Sequence, residues 1–205
     1  MQSERLRVLT YNIHKGVQGL GPLQRLEIYN VQQAIARLNL DVVCLQEVRR
    51  SNSQGMLRFA DWPRLPQADF LAPHGFSAVY VTNAYTRYGE HGNALLSRWP
   101  VVQQGHQDIS DHRYEQRGLL HSVIDFQGVQ VHVIVVHLGL IAGAFDGANG
   151  LAHRDQCQNF SSPLAIITVR PYLCTRHAPC SAECSTCLIW QFAVATPLRP
   201  FAITG

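Results

Sequence analysis

A chain of 205 residues with 46% hydrophobic residues and a mean hydropathy of -0.05 can bury a real core, and one globular domain is the default reading. A formal charge of +3 is too small for nucleic-acid binding through bulk electrostatics, so any recognition of phosphate has to come from locally placed charge. No apolar run approaches the roughly 20 residues that span a bilayer. The opening MQSERLRVLTYN shows neither a basic-then-apolar leader nor a cleavage pattern. A cytoplasmic monomer without a membrane span is the expectation.

In chain order, Leu6, Val8 and Thr10 alternate with Arg7, Leu9 and Tyr11, a strand that ends in a loop from Asn12 to Pro22. Ile28, Val31, Ala34, Ile35 and Leu38 recur at helical spacing and predict an amphipathic helix between Leu26 and Leu38. Val42, Val43, Cys44 and Leu45 suit a buried strand, with Glu47 expected just beyond its end. The Pro-rich, polar stretch 51–75 reads as a long surface excursion, a place for substrate-contacting loops. Strands follow at Phe76–Val81 and Asn93–Ser97, the second closed by Pro100. Then comes a hairpin, Gly118–Phe126 against Val129–His137, turning at Gln127-Gly128. Many strands with one good helix early indicate an α+β protein built around a sheet sandwich.

Asn12, Glu47 and His137 stand at the ends of apolar strands, and strand ends of a sandwich can converge on one rim. That trio suits phosphoester hydrolysis. A carboxylate holds a hard divalent cation, which neutralises charge developing on phosphorus. An amide orients a phosphate oxygen or a water without adding negative charge, and an imidazole protonates a leaving oxygen or binds the phosphoryl group. Singly, each has a blander reading: a turn former, a solvated charge, a hydrogen-bonded strand end.

The strings around these residues resemble the endonuclease/exonuclease/phosphatase superfamily. LTYNIHKG is similar to its first motif and DVVCLQEVR to its second; HGNALLSRWP, EQRGLL and VIVVHLGL follow in the family's order over roughly residues 5–140. The resemblance implies a DNase I-like four-layer α/β/β/α sandwich, incomplete at its C-terminal end. It implies Mg²⁺ as cofactor, with Mn²⁺ as an alternative, Glu47 as principal metal ligand assisted by Asn12, and His137 as the catalytic histidine. It further implies Arg49, Asn93 and Arg117 as phosphate or substrate contacts, and a phosphodiester substrate with DNA first. A lipid or sugar-phosphate diester is the alternative within the superfamily. His14 and Lys15 are also within reach of a phosphate, or simply exposed beside Gly16.

Two further family motifs, G-D-x-N and a terminal S-D-H, are missing from their places. Ser110-Asp111-His112 comes too early and Asp146-Gly147-Ala148-Asn149 has one residue too many. Leu151–Gln156 looks like the start of the family's next helix, after which the character changes: from Gln156 onward Glu183 is the only acidic residue. The expectation is therefore a family domain over 1–155 and an atypical Cys/Pro-rich tail over 156–205, explained by a shifted reading frame, with weak activity or a non-enzymatic fragment as the consequence. Cys44 reads as a small buried hydrophobe, whereas Cys157, Cys174, Cys180, Cys184 and Cys187 all fall late. Cys174, His177, Cys180, Cys184 and Cys187 have spacings within reach of zinc, but no long loop separates two ligand pairs, and zinc is not the favoured reading.

Overall fold

The computed structural model describes residues 5–110, 116–137, 164–169 and 187–193. In chain order the elements are β1 (Arg5–Asn12), a 3-10 turn (His14–Gly16), β2 (Val17–Gln18), a second 3-10 turn (Gly21–Leu23), β3 (Arg25–Leu26), α1 (Ile28–Arg37), β4 (Val42–Asn52), α2 (Ser53–Arg58), α3 (Gln67–Leu71), β5 (Ser77–Thr86), β6 (Gly89–Ser97), β7 (Val101–Asp108), β8 (Gly118–Phe126), β9 (Val129–His137), β10 (Leu164–Val169) and β11 (Cys187–Ala193). Two sheets form the body, in the orders β11-β1-β4-β6-β5 and β10-β9-β8-β7; β2 and β3 make a small ribbon beside them.

Alternation along β4 explains the layering. Val42 and Cys44 face the second sheet and pack with Leu6, Val8 and Leu95 against Leu120, Ile124, Phe126, Val131, Val133 and Val135. Val43 and Leu45 face the other way, against Ile28, Val31 and Ile35 of α1 and Leu71 of α3. The central strand is thus buried on both faces, which is why V-V-C-L is continuously apolar. Each fully buried Val or Leu in these two layers contributes roughly 1.5–3 kcal/mol. Cys44 is fully buried, and that burial pushes its thiol far up, leaving it a neutral packing residue.

The expected helix, strands and two-sheet sandwich are present. The β8–β9 hairpin runs over the expected residues, and its two turn positions, Gln127 and Gly128, have φ of 55° and 83°. Paired positive values suit a two-residue hairpin turn that follows the twist of its strands.

Elsewhere the elements differ from expectation. β4 does not stop before Glu47 but continues to Asn52. The 51–75 excursion is no plain surface loop, since it carries α2 and α3 and buries Gly55, Gln67, Ala68 and Leu71. β5 and β6 are longer than read and form a hairpin around Arg87–Tyr88, and β7 was not anticipated, because its Gln- and His-rich face is exposed. Beyond His137, β10 lies parallel to β9 and β11 antiparallel to β1, with Cys187 in register with Tyr11. The outer helical layer, the Leu151–Gln156 helix, Asp111-His112, the Asp146–Asn149 loop and Cys174, His177, Cys180 and Cys184 lie outside the described residues.

Candidate active site

The site begins with a fault in the β4–β6 pairing. Leu45 is opposite Ala94 and Val48 opposite Gly92, so Gln46 and Glu47 together face the single residue Asn93. This is a bulge, and Glu47 takes the left-handed conformation it requires, with φ of 54°. For a residue with a Cβ that conformation costs on the order of 1–3 kcal/mol, a strain typical of functional positions. Its effect is to invert the alternation. Before it, Cys44 faces the sandwich interior; after it, Val48 joins the α1 side, so Glu47 and Arg49 fall on the interior side. Without the extra residue, Val48 would face the cleft and both charged groups would point at the helices.

Asn12 reaches the same cleft from the end of β1, two positions beyond Thr10 and four beyond Val8 on one face. Its side chain donates Nδ2–H to Glu47 Oε1 at 3.0 Å, and its Oδ1 accepts the His14 backbone N–H at 2.9 Å. The chain then turns sharply through His14, Lys15 and Gly16, all at positive φ. Lys15 Nζ comes to 3.4 Å from Glu47 Oε2. From the second sheet, His137 at the end of β9 brings Nε2 to 4.0 Å from Glu47 Oε1, with only 7% of its side chain exposed. Asn12, Glu47 and His137 therefore meet on one rim, as the strand ends suggested.

Burial alone would raise the Glu47 carboxyl. The hydrogen bond from Asn12 and the charges of Lys15, His137 and His14 outweigh it, and the group is held below the usual carboxylate range. Glu47 is thus ionised at neutral pH. For a hard cation the local donors are the two Glu47 oxygens and Asn12 Oδ1. Among the described residues no group of three or more His, Cys, Asp or Glu side chains gathers to hold a metal. That donor set fits Mg²⁺, which binds through one or two carboxylates and keeps its other positions for water and phosphate. It does not fit a structural zinc centre.

The remaining candidates lie around this core. Arg49 follows Glu47 on the interior side; burial lowers its guanidinium's pKa and the Glu47 charge partly restores it. The guanidinium stands 6.0 Å over the Trp62 ring and makes no hydrogen bond to a described residue. Arg117 is tied at its backbone to Ser110, whose Oγ accepts the Arg117 N–H at 2.8 Å. Asn93 is 1% exposed and donates both amide hydrogens across the sandwich, to Gly118 O at 2.8 Å and Val135 O at 3.2 Å. Its hydrogens are therefore occupied by the fold, and its Oδ1 is buried without a hydrogen-bond partner.

Two residues escaped the sequence reading. Gln67, 2% exposed, accepts the Arg49 backbone N–H at 2.8 Å and donates to Lys15 O at 2.9 Å, clamping the β1 turn to β4. Nothing in the Pro-rich stretch around it signals that role. His91 lies two residues before Asn93 on β6 and opposite Arg49, and that period-2 spacing was a usable signal.

A family model described as Endonuclease/Exonuclease/phosphatase family matches residues 9–196. The chain is 37% identical over 142 residues to the uncharacterized protein YbhP of Escherichia coli strain K12, an alignment covering 68% of this chain and 55% of YbhP. The chain thus spans about half the length of the curated relatives it matches. Among solved structures it is similar to an endonuclease/exonuclease/phosphatase family protein from Leptotrichia buccalis, with a TM-score of 0.60 at 16% identity over 80% of this chain and 65% of the other. It is also similar to the human Nocturnin catalytic domain with bound sulfate anion, with a TM-score of 0.57 at 21% identity over 80% and 63%. At these identities the structural likeness speaks for the fold alone. The family model supplies the assignment, and the chain belongs to the endonuclease/exonuclease/phosphatase family.

Proposed function

We propose that this chain is a Mg²⁺-dependent phosphodiester hydrolase, with DNA as the first substrate to test and Mn²⁺ as the alternative ion. One observation carries the reading: an ionised, strained Glu47 at a sandwich rim, contacted at once by Asn12, Lys15 and His137. Glu47 and Asn12 would hold the cation, which when bound supplies neutralisation of charge on the phosphate. His137, 4.0 Å from Glu47, would protonate the leaving oxygen or bind the phosphoryl group. Arg49 has a guanidinium unoccupied by hydrogen bonds to described residues, and its planar fork can meet two phosphate oxygens. Asn93 serves by pinning Gly118, next to Arg117, and Val135, two residues before His137, to the strand beside Glu47.

The sequence supplies no residue at the G-D-x-N position to activate the attacking water, so turnover is expected to be slow. The test is hydrolysis of single- and double-stranded DNA by the full chain with and without Mg²⁺, with Glu47→Gln as control. Weak, chelator-sensitive cleavage is expected, reduced on the order of 10²-fold or more by Glu47→Gln. Cleavage unaffected by that substitution would exclude the site. Fast cleavage abolished by it would keep the site and refute the slow turnover.

A further inference from the structure

His91 faces the candidate site, and the proposed chemistry gives its ring no role. It lies on β6, in register with Arg49 of β4 on one side and Ala84 of β5 on the other. Asn93 and Leu95 of the same strand face the sandwich interior, so His91, two and four residues earlier, faces it too. The backbone holds it firmly there. At Gly92 a Cβ would stand 1.8 Å from Val81 O, so the close approach of β5 depends on glycine at the next position. The His91 side chain is partly buried, yet its ring makes no hydrogen bond or ion pair to a described residue.

The neighbours make that arrangement costly. Burial, then the positive charges of Lys15, Arg49 and Arg117, hold the imidazole below its ordinary value, with Glu47 alone pulling the other way. Lys15 and Arg49 both act on the single carboxylate of Glu47, beside a neutral ring with no hydrogen-bond partner among the described residues. For packing alone an apolar side chain would avoid the penalty of a partly buried polar group left unpaired. An anion resolves both features together: it offers acceptors to the ring N–H and offsets the charge of Lys15 and Arg49, which share one carboxylate. Arg49, its guanidinium set against Trp62, approaches the same place from the facing strand.

We propose that His91 is a substrate-binding residue of this site, its ring N–H donating to a non-bridging oxygen of the scissile phosphate beside the guanidinium of Arg49. The proposal rests on the phosphohydrolase reading and deepens it by naming a contact on the phosphate itself. No covalent step is assigned to His91; it binds and orients.

The experiment uses inorganic phosphate with Mg²⁺ and the full chain, comparing wild type, His91→Gln and His91→Ala by titration calorimetry. Ring nitrogen resonances of His91 are followed by NMR, and melting midpoints without phosphate check the fold. His91→Ala should weaken phosphate binding about tenfold, the loss of a hydrogen bond to a charged group. His91→Gln, which keeps a donor, should retain most of the affinity, and the wild-type ring resonances should move on phosphate addition. A purely structural role would shift the melting midpoint and leave those resonances still. Wild-type binding that survives His91→Ala, or ring resonances indifferent to phosphate, overturns the inference while the phosphohydrolase reading stands. A wild-type chain that binds no phosphate with Mg²⁺ present overturns both.

Discussion

In the second sheet, β8 and β9 pair without interruption from Leu119 opposite Val136 to Phe126 opposite Val129. In the first, β4, β5 and β6 carry register shifts at Leu45/Val48, Arg49/Asn52 and Thr82/Ala84, all within reach of the candidate site. The two sheets share one interior core, so the difference is not one of burial. A regular strand can offer the cleft only every second residue, and a continuous β4 would alternate apolar and polar positions along one fixed register. Inserting one residue at Glu47 puts Glu47 and Arg49 on the face already used by Asn12, Asn93 and His91. The shifted strands β4 to β6 therefore supply most of the candidate site, while the evenly paired β8 and β9 bring the candidates His137 at a strand end and Arg117 just before a strand start. If that division of labour is right, changes that restore or crowd the irregular sheet should cost most.

The largest expected effect is at Gly92. Its position opposite Val48, with Val81 O and Asn83 N close behind, leaves no room for a side chain, and backbone cannot move aside as a flexible side chain would. Gly92→Ala should destabilise by about 3 kcal/mol or more, through forced separation of β5 from β6. Chemical denaturation would measure it, and a loss under about 1 kcal/mol would mean that the bulged sheet is more pliable than its register implies.

Asn93→Ala comes next. It removes the donors to Gly118 O and Val135 O, the bonds by which the first sheet grips β8 and β9 of the second. Leaving buried carbonyls unsatisfied costs about 1–3 kcal/mol. Activity should fall with it, since the strands carrying Arg117 and His137 lose their tether. Full stability in the Ala variant would show that the two sheets hold together through apolar contacts alone.

The same contrast explains what could be read from the sequence. The β8–β9 hairpin was legible because V-Q-V-H-V-I-V-V-H follows strand propensity without a break and Gln127-Gly128 marks the turn. Asn12, Glu47 and His137 were legible as polar groups closing apolar runs. The bulge was not, although Leu45 and Val48 record it: both face α1, three residues apart where an unbroken strand would place them two or four. Reading L-Q-E-V as the end of a strand was the natural error, since a bulge needs knowledge of the partner strand. β7 escaped because its side chains are mostly exposed and polar, so no apolar alternation betrays it. Gln67 escaped for a different reason. Its contacts at Arg49 N and Lys15 O span 18 and 52 residues of chain, and a buried amide bonded to two backbone groups leaves no local pattern.

The smallest effect separates the sheets by pH. His121 and His132 pack ring against ring in the second sheet, with centroids 5.1 Å apart, and burial holds both below their ordinary values; His132 adds to the shift at His121. Depressed histidines contribute stability that is present above the unfolded value of about 6.5 and lost as pH falls through their folded values. Glu47 is also depressed, so its contribution is present above an unfolded value of about 4.3 and lost only at lower pH. Lys15→Met removes one of the charges holding Glu47 down and should move the lower window upward, leaving the contribution of His121 and His132 in place. Because the Lys15 side chain is 36% exposed, solvent screens the pair, and the change should stay under about 1 kcal/mol. Denaturation midpoints from pH 3 to pH 8 in the presence of chelator would resolve it, the range being set by those two reference values. A larger shift in the upper window would tie Lys15 to His91 more strongly than to Glu47, since Lys15 also helps hold the His91 imidazole down.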